Sequence, residues 1–169
     1  MANLREHIRQ SSGYKWWILG MIMLGTFMAV LDVTVVNVGL PAIMSAFRIG
    51  ISSAEWVVTA YMITMTIMLP SSGWIADRFG TKRIFFSAIL LFSFGSLLCA
   101  LSGTLNELIG ARVIQGLGGA LMVPVGRLSI LKAYPRSELV QVLSFITVPA
   151  LIGPLLGPSL GGFLVDYAS

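Results

Sequence analysis

The sequence predicts an all-α integral membrane protein, on the evidence of its composition and of its long apolar runs. Of the 169 residues, 56% are hydrophobic and only 11% are charged, whereas soluble domains carry about 25% charged residues. A soluble domain needs more charge than this to cover its surface. A helix needs about 20 apolar residues to cross the hydrocarbon core of a bilayer, and five runs in the chain reach that length.

The five runs divide the chain into a short tail and a helical bundle. We expect residues 1–15 to form a cytoplasmic tail and residues 16–169 to form the bundle. Runs this long cannot be barrel strands, so helices must satisfy the backbone in lipid. The first run is too long for a signal peptide and is expected to stay in the protein. The predicted spans cover approximately residues 16–38, 54–76, 84–105, 108–130 and 140–165.

The positions of lysine and arginine predict the orientation of the spans. One side of the membrane receives nearly all of them, and the other side receives Arg48 alone. Because basic residues gather on the cytoplasmic side, we expect a multi-pass membrane protein with a cytoplasmic amino terminus. The basic residues on that side are Arg5, Arg9, Lys15, Arg78, Lys82, Arg83, Arg127, Lys132 and Arg136.

The net charge of +4 is therefore explained by a membrane surface, and no nucleic-acid partner is expected. The chain has one cysteine and one histidine, so neither an internal disulfide nor a metal centre is predicted. We expect no cofactor. The sequence also lacks a zinc-protease motif, a nucleophile elbow and a phosphate-binding loop, so a membrane-embedded enzyme has no support.

Asp32 and Arg112 are the only charges well inside the predicted spans. Each costs a few kcal/mol at mid-membrane unless it has a partner or lines a water-filled cavity. At 1.5 Å per residue, Asp32 lies about 24 Å above the cytoplasmic edge and Arg112 about 6 Å below the outer edge. Both fall in the same outer third of a core about 30 Å thick and could meet. Alternatively, the long side chain of Arg112 reaches the interface.

Polar neighbours of these two charges indicate a cavity. Thr34 and Asn37 follow Asp32, and Gln115 shares the helix face of Arg112. Burial favours the neutral form of a carboxyl group and a nearby arginine favours its charged form. We therefore hypothesise that the carboxylate takes up and releases a proton. The residues predicted to line a proton or substrate pathway are Asp32, Asn37, Arg112 and Gln115.

Two further patterns concern the cytoplasmic edge and the fifth span. Asp77 and Arg127 fall at the same edge, where they could form an ion pair, although an ordinary positive-inside arginine explains Arg127 equally well. In the fifth span, glycines repeat every four residues and leave a bare stripe for close helix packing. Three prolines in the same span favour a helix that bends. The residues of this pattern are Gly153, Gly157, Pro158, Gly161 and Gly162, with Pro149 and Pro154.

Residues 73–83, Gly-Trp-Ile-Ala-Asp-Arg-Phe-Gly-Thr-Lys-Arg, resemble the signature loop of the major facilitator superfamily. In that family the loop joins the second and third helices on the cytoplasmic side and braces the inward gate. The resemblance therefore implies a gating role for one group of residues. They are Gly73, Asp77, Arg78, Gly80, Lys82 and Arg83, with Arg127.

Three other segments extend this resemblance. Arg112, with Gln115, Gly116, Gly119 and Ala120, is similar to the fourth-helix motif, whose arginine is implicated in proton coupling. Residues 153–162 resemble the fifth-helix motif of the antiporter branch. Residues 31–41 resemble the first-helix motif of the 14-helix drug:proton antiporters of the EmrB/QacA group, with Gly39 where alanine is usual.

The resemblance implies a proton-coupled antiporter that exports drugs or other small amphipathic compounds by alternating access. Its partners would be the lipid bilayer, a small-molecule substrate and protons. Because the family has 12 or 14 helices, the five spans are expected to be an amino-terminal portion that needs the carboxyl-terminal helices of the same transporter. The alternative is a truncated, non-transporting membrane protein that associates with partner helices.

Overall fold

The computed structural model describes residues 12–168, with the side chains at positions 12, 14 and 164–168 left out of the description. Within this range the chain forms five helices and no strand. They are α1 (Ser12–Phe47), α2 (Ile51–Phe79), α3 (Thr81–Leu101), α4 (Leu105–Ala133) and α5 (Leu139–Ala168). All five are long and apolar enough to cross a membrane, which confirms the predicted fold class.

The helices end at different residues from the predicted spans. Helix α1 already includes residues 12–15 of the predicted tail and continues past Pro41, whereas residues 1–11 lie outside the described range. The predicted third span extended too far, because Leu105 is the first residue of α4. Thr104 fixes this start by accepting a hydrogen bond from the Glu107 backbone amide, while the Glu107 carboxylate accepts one from the Thr104 amide. This reciprocal pair satisfies amides that would otherwise lack partners.

Helix α4 is the most buried of the five spans and packs closely against both α2 and α3. A β carbon at Gly95 of α3 would lie 2.6 Å from the backbone of Gln115, and one at Gly118 would lie 2.5 Å from the backbone nitrogen of Phe92. On the α2 side, a β carbon at Gly116 would lie 3.0 Å from the carbonyl oxygen of Tyr61. Glycine at these positions brings the helix backbones together.

Helix α5 packs along α1 through its glycine stripe. Gly153 faces Val30, Gly157 faces Thr34, and Gly161 faces Val38. The three prolines lie inside α5, which continues through them as one helix. The stripe thus joins α1 and α5 into a pair beside the group formed by α2, α3 and α4.

Apolar side chains cover much of the outer surface of this bundle. The exposed fractions of Leu90, Leu101 and Leu155 are 54%, 72% and 76%. A water-soluble protein would bury such side chains, whereas hydrocarbon lipid solvates them. The surface therefore agrees with the hydropathy of the spans.

Candidate functional site

A closed network of three polar side chains joins α1 to α4. Arg112 donates from Nη1 to Asp32 Oδ2 at 2.7 Å and to Gln115 Oε1 at 2.5 Å. Gln115 donates from Nε2 to Asp32 Oδ1 at 2.9 Å. The two charges that the sequence places at similar depth are therefore in direct contact.

The burial of this network requires its charges to be paired. Arg112 is 2% exposed and Gln115 is 1% exposed, while the side chain of Asp32 is 15% exposed. Arg112 does not extend to the interface, so the alternative interpretation of this residue is wrong. A buried charge without a partner is strongly destabilising, and Asp32 supplies the compensating charge. The remaining exposure of Asp32 makes it the accessible member of the network.

Two residues that sequence reasoning missed contact the same network. Cys99 of α3 donates from Sγ to Gln115 Oε1 at 3.6 Å. Tyr61 of α2 lies below Arg112, whose Cζ is 5.1 Å from the ring centroid, a distance suited to a cation–π contact. Only Tyr61 carried a weak signal: it lies seven residues inside the predicted second span, away from the interface where tyrosines usually sit.

Asn37 was predicted to line the same pathway, and the structure does not bring it into the network. Asn37 lies five residues after Asp32 on α1 and is exposed. Thr34, between them, donates to the Val30 carbonyl oxygen at 2.8 Å and packs against Gly157. The polar stretch of α1 therefore divides between the charged network, the α5 contact and the outer surface.

The ion pair at the opposite end of α4 differs from the predicted one. Asp77 accepts a hydrogen bond from Lys132 Nζ at 2.8 Å, and Arg127 is exposed. The predicted pairing of Asp77 with Arg127 is therefore wrong. Lys132 lies five residues beyond Arg127, so it is about 7.5 Å farther along α4 and about 140° around it. Depth alone could not select between them.

The other residues of the signature loop lie at the surface around this pair. Gly80 has a φ of 90° and its amide donates to the Ala76 carbonyl oxygen at 3.0 Å, which ends α2. Glycine adopts this conformation without the strain that a β carbon would add. Arg78, Lys82 and Arg83 are exposed, and a β carbon at Gly73 would meet no atom within 4 Å.

A second cluster at this end ties the start of α1 to the connection between α4 and α5. Tyr134 donates from its hydroxyl to the Lys15 carbonyl oxygen at 2.6 Å. Lys15 Nζ lies 3.3 Å from Glu138 Oε2 and 5.4 Å from the Tyr134 ring centroid. Partial burial, and secondarily the charge of Glu138, raises the pKa of Tyr134 above its ordinary value. Sequence reasoning missed this cluster.

Among the side chains that the structure describes, no group of three or more from histidine, cysteine, aspartate and glutamate could hold a metal ion. The described part of the chain is thus a multi-pass helical membrane protein with a paired charge buried between its spans. Residues 22–169 match the Major Facilitator Superfamily, and the chain belongs to that family of membrane transporters.

The chain is also similar in sequence to individual curated proteins. Over 153 residues it is 54% identical to the "Putative multidrug resistance protein MdtD" of Pectobacterium carotovorum subsp. carotovorum (strain PC1). It is 53% identical to the proteins of the same name from Yersinia pestis (strain Pestoides F) and Yersinia pseudotuberculosis serotype O:1b (strain IP 31758). Each match covers 90% of this chain and 33% of the relative. The chain therefore spans about a third of the length of the curated relatives it matches.

Proposed function

We propose that the chain is the amino-terminal part of a transporter that exports drugs or other small amphipathic compounds in exchange for protons. The names of the relatives support an exporter, and their greater length supports further helices that complete the substrate pathway. The observation that carries the proton coupling is the contact between Asp32 and Arg112, 2.7 Å apart between α1 and α4.

The hydrogen bonds of Asp32 link proton uptake to the contact between these helices. The carboxylate accepts one bond at each oxygen, from Arg112 and from Gln115. A proton arriving at Oδ2 removes the charge that holds Arg112, and the α1–α4 contact weakens. Loss of the proton restores it. Asp32 is the only one of the three side chains that can take up a proton, and its partial exposure gives the proton access. Alternating access follows if α1 moves relative to α4.

The cytoplasmic end is proposed to act as a gate. The Asp77–Lys132 pair connects α2 to α4, and exposed Arg78, Lys82, Arg83 and Arg127 are available to contact the rest of the transporter. We expect the prolines of α5 to let this helix bend along α1. The basic residues favour a cytoplasmic amino terminus in a bacterial inner membrane. This orientation is tested by adding protease to spheroplasts: a cytoplasmic amino-terminal tag should be protected from cleavage.

The coupling is tested in the full-length transporter reconstituted in phosphatidylethanolamine and phosphatidylglycerol vesicles, with ethidium as the transported probe. We expect a pH gradient to drive ethidium uptake in the wild type, and Asp32→Asn to abolish the driven uptake while ethidium binding remains. Glu55→Gln, which removes an exposed carboxylate of α2, is the matched control and should leave the driven uptake unchanged. Driven uptake that persists in Asp32→Asn would contradict the proposal.

A further inference from the structure

Two buried polar atoms beside the ion pair lack a hydrogen-bond partner among the described residues. They are the hydroxyl oxygen of Tyr61 and Nε of Arg112. The two side chains are already in contact, because Arg112 Cζ lies 5.1 Å from the Tyr61 ring centroid and Nε is bonded to Cζ. Both residues are almost fully buried, with 1% of Tyr61 and 2% of Arg112 exposed.

The two atoms are chemically complementary. Arg112 Nε carries one hydrogen and can only donate, whereas a phenol oxygen can accept. Buried polar groups are nearly always hydrogen-bonded, and an exception calls for an explanation such as a functional rearrangement. A rotation of the guanidinium toward the hydroxyl would satisfy both atoms at once.

We propose that Tyr61 is a further partner of Arg112, beside Asp32 and Gln115, and a positioning residue for proton uptake by Asp32. When Asp32 is ionised, Arg112 is held by the carboxylate and its Nε is left over. When Asp32 binds a proton, Arg112 turns its Nε–H toward the Tyr61 hydroxyl while the guanidinium stays over the ring. Tyr61 thereby stabilises the protonated state. This inference rests on the proposed function and names the residue that tunes its proton step.

The packing around Tyr61 places its hydroxyl against α4, the helix that carries Arg112. A β carbon at Gly119 would lie 2.7 Å from the hydroxyl oxygen and 3.3 Å from the Cζ of Tyr61. Glycine at this position therefore leaves the space that the hydroxyl occupies. The close approach of Gly116 to the Tyr61 carbonyl oxygen holds the backbone of α2 against α4, the helix of Arg112.

The groups facing the carboxylate from the packed helices are few. Arg112 and Gln115 come from α4, Tyr61 from α2, and Cys99 from α3. Asp32 is the only charged residue between Trp16 and Phe47 of α1, and residues 139–163 of α5 contain no titratable side chain. The Cys99 thiol contacts Gln115. Tyr61 is thus the one of these groups whose acceptor oxygen has no bond while Asp32 is ionised, because Gln115 Oε1 already accepts from Arg112 and Cys99.

Removing the Tyr61 hydroxyl should make Asp32 harder to protonate. Tyr61→Phe keeps the ring beneath Arg112 and removes only the acceptor, so the midpoint of Asp32 protonation should move about 0.5–1 pH unit lower. Gly119→Ala displaces the hydroxyl and should shift the midpoint in the same direction. Two controls match these changes: Thr66→Val removes an exposed hydroxyl from α2, and Gly110→Ala adds a methyl group to α4 where no atom lies within 4 Å.

The midpoint is measured on the full 169-residue chain in phosphatidylethanolamine and phosphatidylglycerol vesicles. Infrared difference spectra over a pH titration follow the carbonyl band of protonated Asp32, assigned by its loss in Asp32→Asn. We expect lower midpoints in Tyr61→Phe and Gly119→Ala and wild-type midpoints in both controls. An unchanged or higher midpoint in Tyr61→Phe would overturn the inference, whether or not Gly119→Ala folds.

A double-variant cycle separates this role from a general packing effect. If Tyr61 acts through Arg112, then Tyr61→Phe should no longer shift the midpoint in an Arg112→Gln background. A shift that persists there would overturn the inference. The infrared midpoint does not depend on transport, so a shift as expected together with pH-independent ethidium transport would refute only the proposed function.

Discussion

Gly157 of α5 lies so close to Thr34 of α1 that a β carbon at position 157 would overlap the side chain of the threonine. The same threonine is fixed from its own helix, because its hydroxyl donates to the Val30 carbonyl oxygen at 2.8 Å. Neither side of this contact can yield without moving a backbone. The α1–α5 pair therefore depends on the absence of a side chain at one position.

Gly157→Ala should destabilise the bundle by about 1–3 kcal/mol, the usual cost of overfilling a packed contact. Gly162→Ala is the matched control, since a β carbon there meets no atom within 4 Å and alanine favours helix by about 1 kcal/mol. Titration with a denaturing detergent, followed by circular dichroism, measures both. Equal stabilities for the two variants would refute the close contact, and Thr34→Ala should restore part of the loss in Gly157→Ala.

Removing one charge of the buried pair should cost more than removing both. Asp32→Ala leaves the guanidinium of Arg112 buried without its counter-charge, for which we expect a loss of about 3–5 kcal/mol. The double variant Asp32→Ala, Arg112→Met replaces the pair by apolar groups and should recover most of that loss. The same denaturing titration measures the free energies of unfolding of both variants. A double variant less stable than Asp32→Ala would contradict the burial of a paired charge.

The Asp77–Lys132 ion pair should contribute little to stability and should be specific to these two residues. Lys132 and Asp77 are 48% and 66% exposed, so we expect a coupling energy of about 0.2–1 kcal/mol that falls as salt is added. A double-mutant cycle between Asp77→Asn and Lys132→Met measures it. The parallel cycle with Arg127→Met should give no coupling, and the reverse ranking would restore the pairing that the sequence first indicated.

The tyrosine contact at the start of α1 should disappear in alkali. Because the pKa of Tyr134 is raised in the folded chain, the folded state favours the neutral phenol. Its contribution is therefore complete below the unfolded pKa of about 10 and is lost as the pH rises through the higher folded pKa. We expect Tyr134→Phe to cost about 0.5–1.5 kcal/mol at pH 8 and less above pH 11. A cost that grows with pH would contradict this assignment.

The sequence predicts depth in the membrane well and contacts around a helix poorly. Helical rise placed Asp32 and Arg112 at one level, and the strong cost of isolated charge in lipid requires them to meet. At the membrane surface, water solvates charged side chains, so an unpaired charge costs little there. No large energy therefore selects a partner among Asp77, Arg127 and Lys132. The choice there depends on the rotation of α4, which packing decides.

Tyr61 escaped sequence reasoning for a related physical reason. A tyrosine in an apolar run is usually interpreted as an ordinary amphipathic side chain. Burial of its ring is favourable, and its hydroxyl usually forms a hydrogen bond. Only the tertiary contact reveals that this hydroxyl faces Gly119 and that the ring lies beneath Arg112. Helix ends are missed for another reason: α1 continues through Gly39 and Pro41, whereas glycine and proline usually weaken or end a helix.

The distribution of backbone-close glycines divides the bundle into two stiff blocks. Gly95, Gly116 and Gly118 lock α2, α3 and α4 together, while the stripe of α5 locks it to α1. If the helices within either block slid past one another, backbone atoms of one helix would clash with side chains of the next. The bond from Arg112 to Asp32 runs between these two blocks. Under the proposed function, a single proton on Asp32 therefore acts at the contact between two rigid groups of helices.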